Sequence, residues 1–162
     1  MQYSKSTDYA LHALIHLAQA EGRENIGIKP LAHSLGVSES YLSKIMSKLR
    51  QDGLVRSVTG VKGGYELARP PRDITFLDVI QVIEGRQELY VCSNLDSKQH
   101  RTYFAGPDEA PPQRHDQCLV KRVMDGAQQQ MDRYLRGHTI QTVLDEAAAV
   151  RSEECSSRRT QA

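Results

Sequence analysis

Between Gly27 and Arg69 the chain reads GIKPLAHSLGVSESYLSKIMSKLRQDGLVRSVTGVKGGYELAR, and glycine and proline cut it into short segments with separate periodicities. Pro30 is tolerated where a helix begins, because its missing N–H would have no partner there. Leu31, Ala32 and Leu35 follow at helical spacing until Gly36 stops the run. Ser38 is then an N-cap in type, with Glu39 in the next turn suited to the helix dipole. Leu42, Ile45, Met46 and Leu49 recur at spacings of three and four, which predicts a second helix with those residues inward. Ser40, Tyr41, Ser43, Lys44, Ser47 and Lys48 are left on the outer face, which is basic and rich in hydroxyls.

Two helices joined by a tight glycine-containing turn make a helix-turn-helix, whose second helix can enter a DNA major groove. The continuation narrows the choice. Leu54 to Val58 is β-prone, Gly60 to Gly64 is glycine-rich with one lysine, and Tyr65 to Ala68 returns as a second strand, so a wing is predicted. The fold class expected is mainly α with a small two-stranded wing: a winged helix-turn-helix domain plus a long C-terminal dimerisation helix.

The stretch YLSKIMSKLRQDGLVRSVTGVKGGYELAR resembles the signature of the Rrf-two family of bacterial winged-helix regulators, which includes iron–sulfur, nitric-oxide-sensing and cysteine-metabolism regulators. The likeness begins at MQYSKSTDYALHAL and continues through DITFLDVIQVIEG to the restart near residue 140. It implies a dimeric transcription factor, with two recognition helices in successive major grooves of a near-palindromic operator, acting as a repressor by competing with polymerase. One departure lies in the wing tip. Family members commonly carry an arginine or another polar group there, where this chain has Thr59 and Val61 flanking Gly60.

A chain of 162 residues with 39% hydrophobic content suits one compact domain with an extended dimerisation element. No apolar run approaches the roughly 20 residues of a membrane span, and the N-terminus has no signal-peptide pattern; a cytoplasmic location is expected. The formal charge of +1 announces no particular partner. Local charge does, because between Ser38 and Arg72 seven basic residues stand against three acidic ones. Such a patch binds phosphates without choosing a sequence, and specificity must come from base edges. Ser38, Ser40, Tyr41, Ser43 and Lys44 are the candidates for direct readout, with Lys48, Arg56 and Lys62 on phosphates or in a minor groove, and Thr59 and Gly63 in the wing. The alternative is a solvated helix face.

The N-terminal helix, roughly Ser6 to Glu21, is apolar around much of its circumference, with Asp8, His12, His16 and Gln19 in one polar stripe. That stripe is either a water-facing edge or, through Asp8 and His12 one turn apart, part of a metal or cluster site. After the wing, Thr75 and Asp78 form a capping-box pattern ahead of Phe76, Leu77, Val79, Ile80, Val82 and Ile83, and Gly85 ends that helix. Residues 1–85 are assigned to the DNA-binding domain. From 86 to 117 periodicity is lost, and a loop longer than roughly 15 residues tends to be functional or disordered; this one is the candidate sensor loop. Residues 118–150 carry a helix with Val120, Val123, Met124, Ala127, Met131, Tyr134 and Leu135 on one side, then a last helix capped by Thr139. Residues 151–162 lack apolar anchors and are expected to fray.

Three cysteines do not make a disulfide scaffold. Iron–sulfur members of the resembling family place three cysteines within about a dozen residues of the position of Cys92, whereas this chain has one there and the next at Cys118. Cys155 lies in the tail and reads as incidental. Three accounts of Cys92 and Cys118 stand open: ligands of an iron–sulfur cluster or metal completed by Asp8 and His12, redox-sensing thiols, or structural thiols. His100 and His115 are more simply solvated loop residues. If the cysteines are structural, the regulator would answer to a protein or small-molecule partner, and a winged helix used only for protein contacts is a further rival. A small thiol or metal enzyme with Cys118 as nucleophile and His115 as base is the remote alternative, since no catalytic scaffold, P-loop or nucleotide fingerprint accompanies it.

Overall fold

The structure, a computed structural model, describes residues 2–20, 25–60, 63–86, 88–93 and 118–159, with side chains as far as Ser152. The chain divides into two compact units, one of Gln2–Arg86 with Leu135–Ala162, the other of Gln87–Tyr134 with Met1.

The first unit opens with α1 (Lys5–Gln19), followed by α2 (Ile28–Leu35), α3 (Glu39–Gln51), the strands β1 (Val55–Val58) and β2 (Gly64–Leu67), a single 3₁₀ turn (Pro71–Asp73) and α4 (Phe76–Glu84). α2 begins two residues earlier than Pro30 alone suggests. Gly27 is its N-cap, so Pro30 sits in the first turn, where N–H groups have no intrahelical partner in any case. Gly36 ends it in the left-handed conformation, with φ 66°. The side chain of Ser38 accepts the Tyr41 N–H and starts α3 as the sequence predicts. Thr75 and Asp78 form the reciprocal capping box at the start of α4.

The helical periodicities are satisfied in one core. Ala10, Ala13, Leu14 and Leu17 of α1 pack with Leu31 and Ala32 of α2, Leu42, Ile45, Met46 and Leu49 of α3, Leu54 and Val55 after it, and Val79 and Ile83 of α4. Burying a side chain such as Leu14, Leu42 or Leu49 stabilises the fold by about 1.5–3 kcal/mol each. The wing strands pair antiparallel, Val55 opposite Leu67 and Val58 opposite Gly64. A bridge between Ile26 and Tyr65 adds a short third member to this ribbon, with N–H···O bonds of 3.1 and 2.8 Å.

The last helix, numbered α6 (Ile140–Arg159), belongs to this same unit rather than with the long helix preceding it. Ile140 is fully buried and its N–H donates to the Ile74 carbonyl, while the Phe76 N–H donates to His138. Thr139 and Thr142 cap it reciprocally. The helical backbone of α6 runs on to Arg159.

In the second unit, residues 88–93 lead without regular structure to Cys92, and Cys118 precedes α5 (Leu119–Arg136). The intervening sensor-loop stretch, with His100 and His115, lies outside the described residues. α5 has no buried residue in the single chain. Its Val123 and Tyr134 are 70% and 66% exposed, with Leu119, Val120 and Met124 also open to solvent.

Candidate nucleic-acid interface

The recognition helix α3 holds its inner face by four buried aliphatic side chains, and this fixes which residues point outward. Ser38, Ser40 and Lys44 are exposed, and Ser43 is half-buried. The Ser38 and Ser40 hydroxyls lie 3.3 Å apart at the N-terminal end of α3, the end that meets base edges when such a helix enters the major groove. Tyr41 is held more firmly than periodicity alone suggests. Its hydroxyl bonds to that of Ser6 at 2.8 Å and its ring stands edge-on to Tyr9, centroids 5.9 Å apart. It therefore presents a fixed ring edge, anchored on α1.

The cations divide by what they already bind. Lys44 is exposed. Lys48, a candidate for a phosphate or minor-groove contact from the sequence, donates to the Ile83 carbonyl at 3.1 Å in the free protein. Arg56 lies opposite Glu66 in the ribbon and pairs with it at 2.5 Å. Arg69 folds back on the end of α3, donating to the Gly53 and Asp52 carbonyls at 3.1 and 3.2 Å. Thr59 is exposed and Gly63 half-buried at the wing, while Lys62 lies outside the described residues. Glu66, Ser6 and Ile83 are partners that sequence reasoning did not find; only the strand register could have matched Glu66 with Arg56.

Beneath α3 a polar joint fastens the ends of α1 and α4. One oxygen of Glu84 accepts from the Ser4 N–H at 2.8 Å, the Ser4 hydroxyl at 2.7 Å and the Thr7 hydroxyl. These donors, Thr7 first and Ser4 next, lower the Glu84 pKa below its ordinary 4.5, with Lys48 adding a smaller attraction.

The four candidate metal or cluster ligands fall in different units. Asp8 and His12 form an exposed pair at 3.2 Å in the first, with Nδ1 of His12 also 2.9 Å from the Asp8 carbonyl. His16 contacts the Ser34 hydroxyl at 3.3 Å. Cys92 and Cys118, in the second unit, are 7% and 2% exposed with their sulfurs 3.8 Å apart. Tyr90 has its pKa raised, first by partial desolvation and then by the Cys92 sulfur. Among the described residues no three of His, Cys, Asp and Glu converge where a metal ion would sit. The described residues thus provide two soft ligands, Cys92 and Cys118, of the four that a tetrahedral site takes.

A capped recognition helix, a left-handed glycine turn before it and a two-stranded ribbon after it define a winged helix-turn-helix protein. The chain belongs to the Rrf2 family, described as iron-dependent transcriptional regulators, whose pattern it matches over residues 3–146. It is 28% identical over 152 residues to the HTH-type transcriptional regulator NsrR of Geobacillus kaustophilus, covering 94% of this chain and 95% of that one. Among solved structures it is similar to T. potens IscR, with TM-score 0.67 and 29% identity over 91% of this chain and 88% of that one. It is also similar to CymR, the global cysteine regulator of B. subtilis, with TM-score 0.63 and 29% identity over 90% of this chain and 98% of that one. The protein is a DNA-binding transcriptional regulator and not an enzyme. No helix among the described residues is long and apolar enough to cross a membrane.

Proposed function

We propose that the protein is a homodimeric repressor that places its two α3 helices in successive major grooves of a near-palindromic operator. The observation that carries this is the open face of α3, where Ser38, Ser40 and Lys44 stand exposed beside the wing. Base-edge contacts come from Ser38, Ser40, Tyr41, Ser43 and Lys44, and phosphate contacts from Arg56, Lys62 and the wing backbone near Thr59 and Gly63. The dimer is supported by the exposed apolar side of α5, which a lone chain leaves in water.

The signal enters at the segment bounded by Cys92 and Cys118. Two arrangements of that segment that differ in stability with and without the signal suffice to change DNA affinity. The experiment is binding to the gene's own promoter region across a salt series. A specific footprint is expected, and the Lys44→Ala, Lys62→Ala double variant should flatten the logarithmic salt dependence by about 0.9 per phosphate contact removed. No footprint, together with wild-type affinity in the double variant, would sink the proposal.

A further inference from the structure

We propose that Cys92 and Cys118 close into a reversible intramolecular disulfide and so form a dithiol switch for peroxides; this rests on reading their segment as the signal input. Three observations converge. The two sulfurs are neighbours at 3.8 Å although 26 positions separate them in the chain, so the fold and not local sequence brings them together. Cys118 precedes α5 and its sulfur accepts the Lys121 N–H at 3.3 Å, which holds that sulfur in place beside Cys92. Cys92 lies in a segment without regular structure, which leaves it the freer partner to close a gap of about 1.8 Å to disulfide length.

The chemistry balances with hydrogen peroxide as the oxidant. The Cys118 thiolate attacks one peroxide oxygen, the O–O bond breaks, and the departing hydroxide takes a proton to leave as water. Cys118 is then a sulfenic acid. The Cys92 sulfur attacks the Cys118 sulfur, the S–O bond breaks, and the thiol proton leaves with hydroxide as a second water. Two thiols and one peroxide thus give one disulfide and two waters, and an added dithiol reverses the change by exchange. Closure draws residues 88–93 against the first turn of α5, the helix whose exposed apolar side the proposed dimer uses.

The test uses the full chain with Cys155→Ser, purified without oxygen and treated with one equivalent of hydrogen peroxide. The expected result is loss of the mass of two hydrogen atoms, loss of both alkylatable thiols after denaturation, and a change in operator affinity of about 5-fold or more, all restored by dithiothreitol. Cys92→Ser and Cys118→Ala should each abolish the mass loss and the change in affinity, with Cys92→Ala replacing the serine variant if that fails to fold. Operator binding with both thiols still alkylatable after peroxide overturns the switch alone. So does a disulfide that leaves affinity unaltered, or iron or zinc held on the two thiols of the anaerobic protein. Absence of operator binding by the reduced protein would instead sink the regulator reading, and the switch with it.

Discussion

Lys48 donates to the carbonyl oxygen of Ile83 at 3.1 Å, so a lysine of the recognition helix ties off the last turn of α4. The final carbonyls of a helix have no intrahelical donor, and a lysine supplies one. Ile83 is followed by Glu84, whose carboxylate gathers Ser4 and Thr7 from the start of α1. Three helices therefore meet at one joint, and the orientation of α3 is set from behind by polar contacts as well as by its buried leucines.

Lys48→Ala should cost about 1 kcal/mol of stability through the lost hydrogen bond, while leaving the salt dependence of DNA binding unchanged. Lys44→Ala should do the reverse. Urea melts and a salt series on the two variants separate these roles, and a reduced salt slope for Lys48→Ala would return that lysine to the phosphate contacts.

Arg56 is neutralised by Glu66 in the free protein, and a phosphate must compete for it. Glu66→Gln is expected to strengthen DNA binding at low salt and steepen the salt dependence by about 0.9 for each arginine released. Titration of labelled duplex at several salt concentrations checks this; an unchanged slope means Arg56 does not reach phosphate.

The caps on α3 and α4 should each be worth about 1 kcal/mol. Ser38→Ala and Thr75→Ala are therefore expected to destabilise alike, since each hydroxyl accepts a backbone N–H. Only Ser38→Ala should also weaken operator binding, because Ser38 is on the exposed face of α3 and Thr75 is not. Equal loss of DNA affinity in both would point to a general folding effect.

Val123, 70% exposed on α5, is the site at which to test the dimer. Wild type is expected to sediment at twice the 18.2 kDa chain mass, and Val123→Asp should shift it to the monomer and lower operator affinity. A monomeric wild type would remove the dimer from the proposal.

Glu84 sets an acid limit on the first unit. Its folded pKa lies below the ordinary 4.5 because Thr7 and Ser4 donate to the carboxylate. Its contribution is therefore complete above pH 4.5 and is lost as pH falls through the lower folded value. Glu84→Gln should destabilise at neutral pH and show a shallower loss of stability with acid than wild type. Parallel curves for the two proteins would exclude the linkage.

Much of this was legible because periodicity reports burial. Leu42, Ile45, Met46 and Leu49 announce the inner face of α3, and Thr75 with Asp78 announces a helix start through chemistry confined to four residues. The partners of the cations were not legible. Whether Lys48 meets a phosphate or Ile83 depends on how α3 crosses α4, a relation between residues 35 positions apart that no local pattern carries. The same holds for Cys92 and Cys118, whose spacing in sequence suggested a bracket and whose sulfurs turn out to be neighbours.

The bridge from Ile26 to Tyr65 has a bearing on how far the DNA-reading surface can diversify. A side-chain carbon placed on Gly64 would lie 2.6 Å from the Ile26 backbone, whereas one placed on Gly60 would meet nothing within 4 Å, although its φ of 113° disfavours substitution there. The start of β2, where Gly64 faces Val58 beside the turn, is thus packed against the segment entering α2, whereas Gly60 within the turn is open. Under the proposed function, variation at the exposed Thr59 is expected to alter operator preference without disturbing the scaffold, while a side chain at Gly64 would push against the Ile26 backbone. The protein carries a replaceable fingertip on a knuckle that cannot be exchanged.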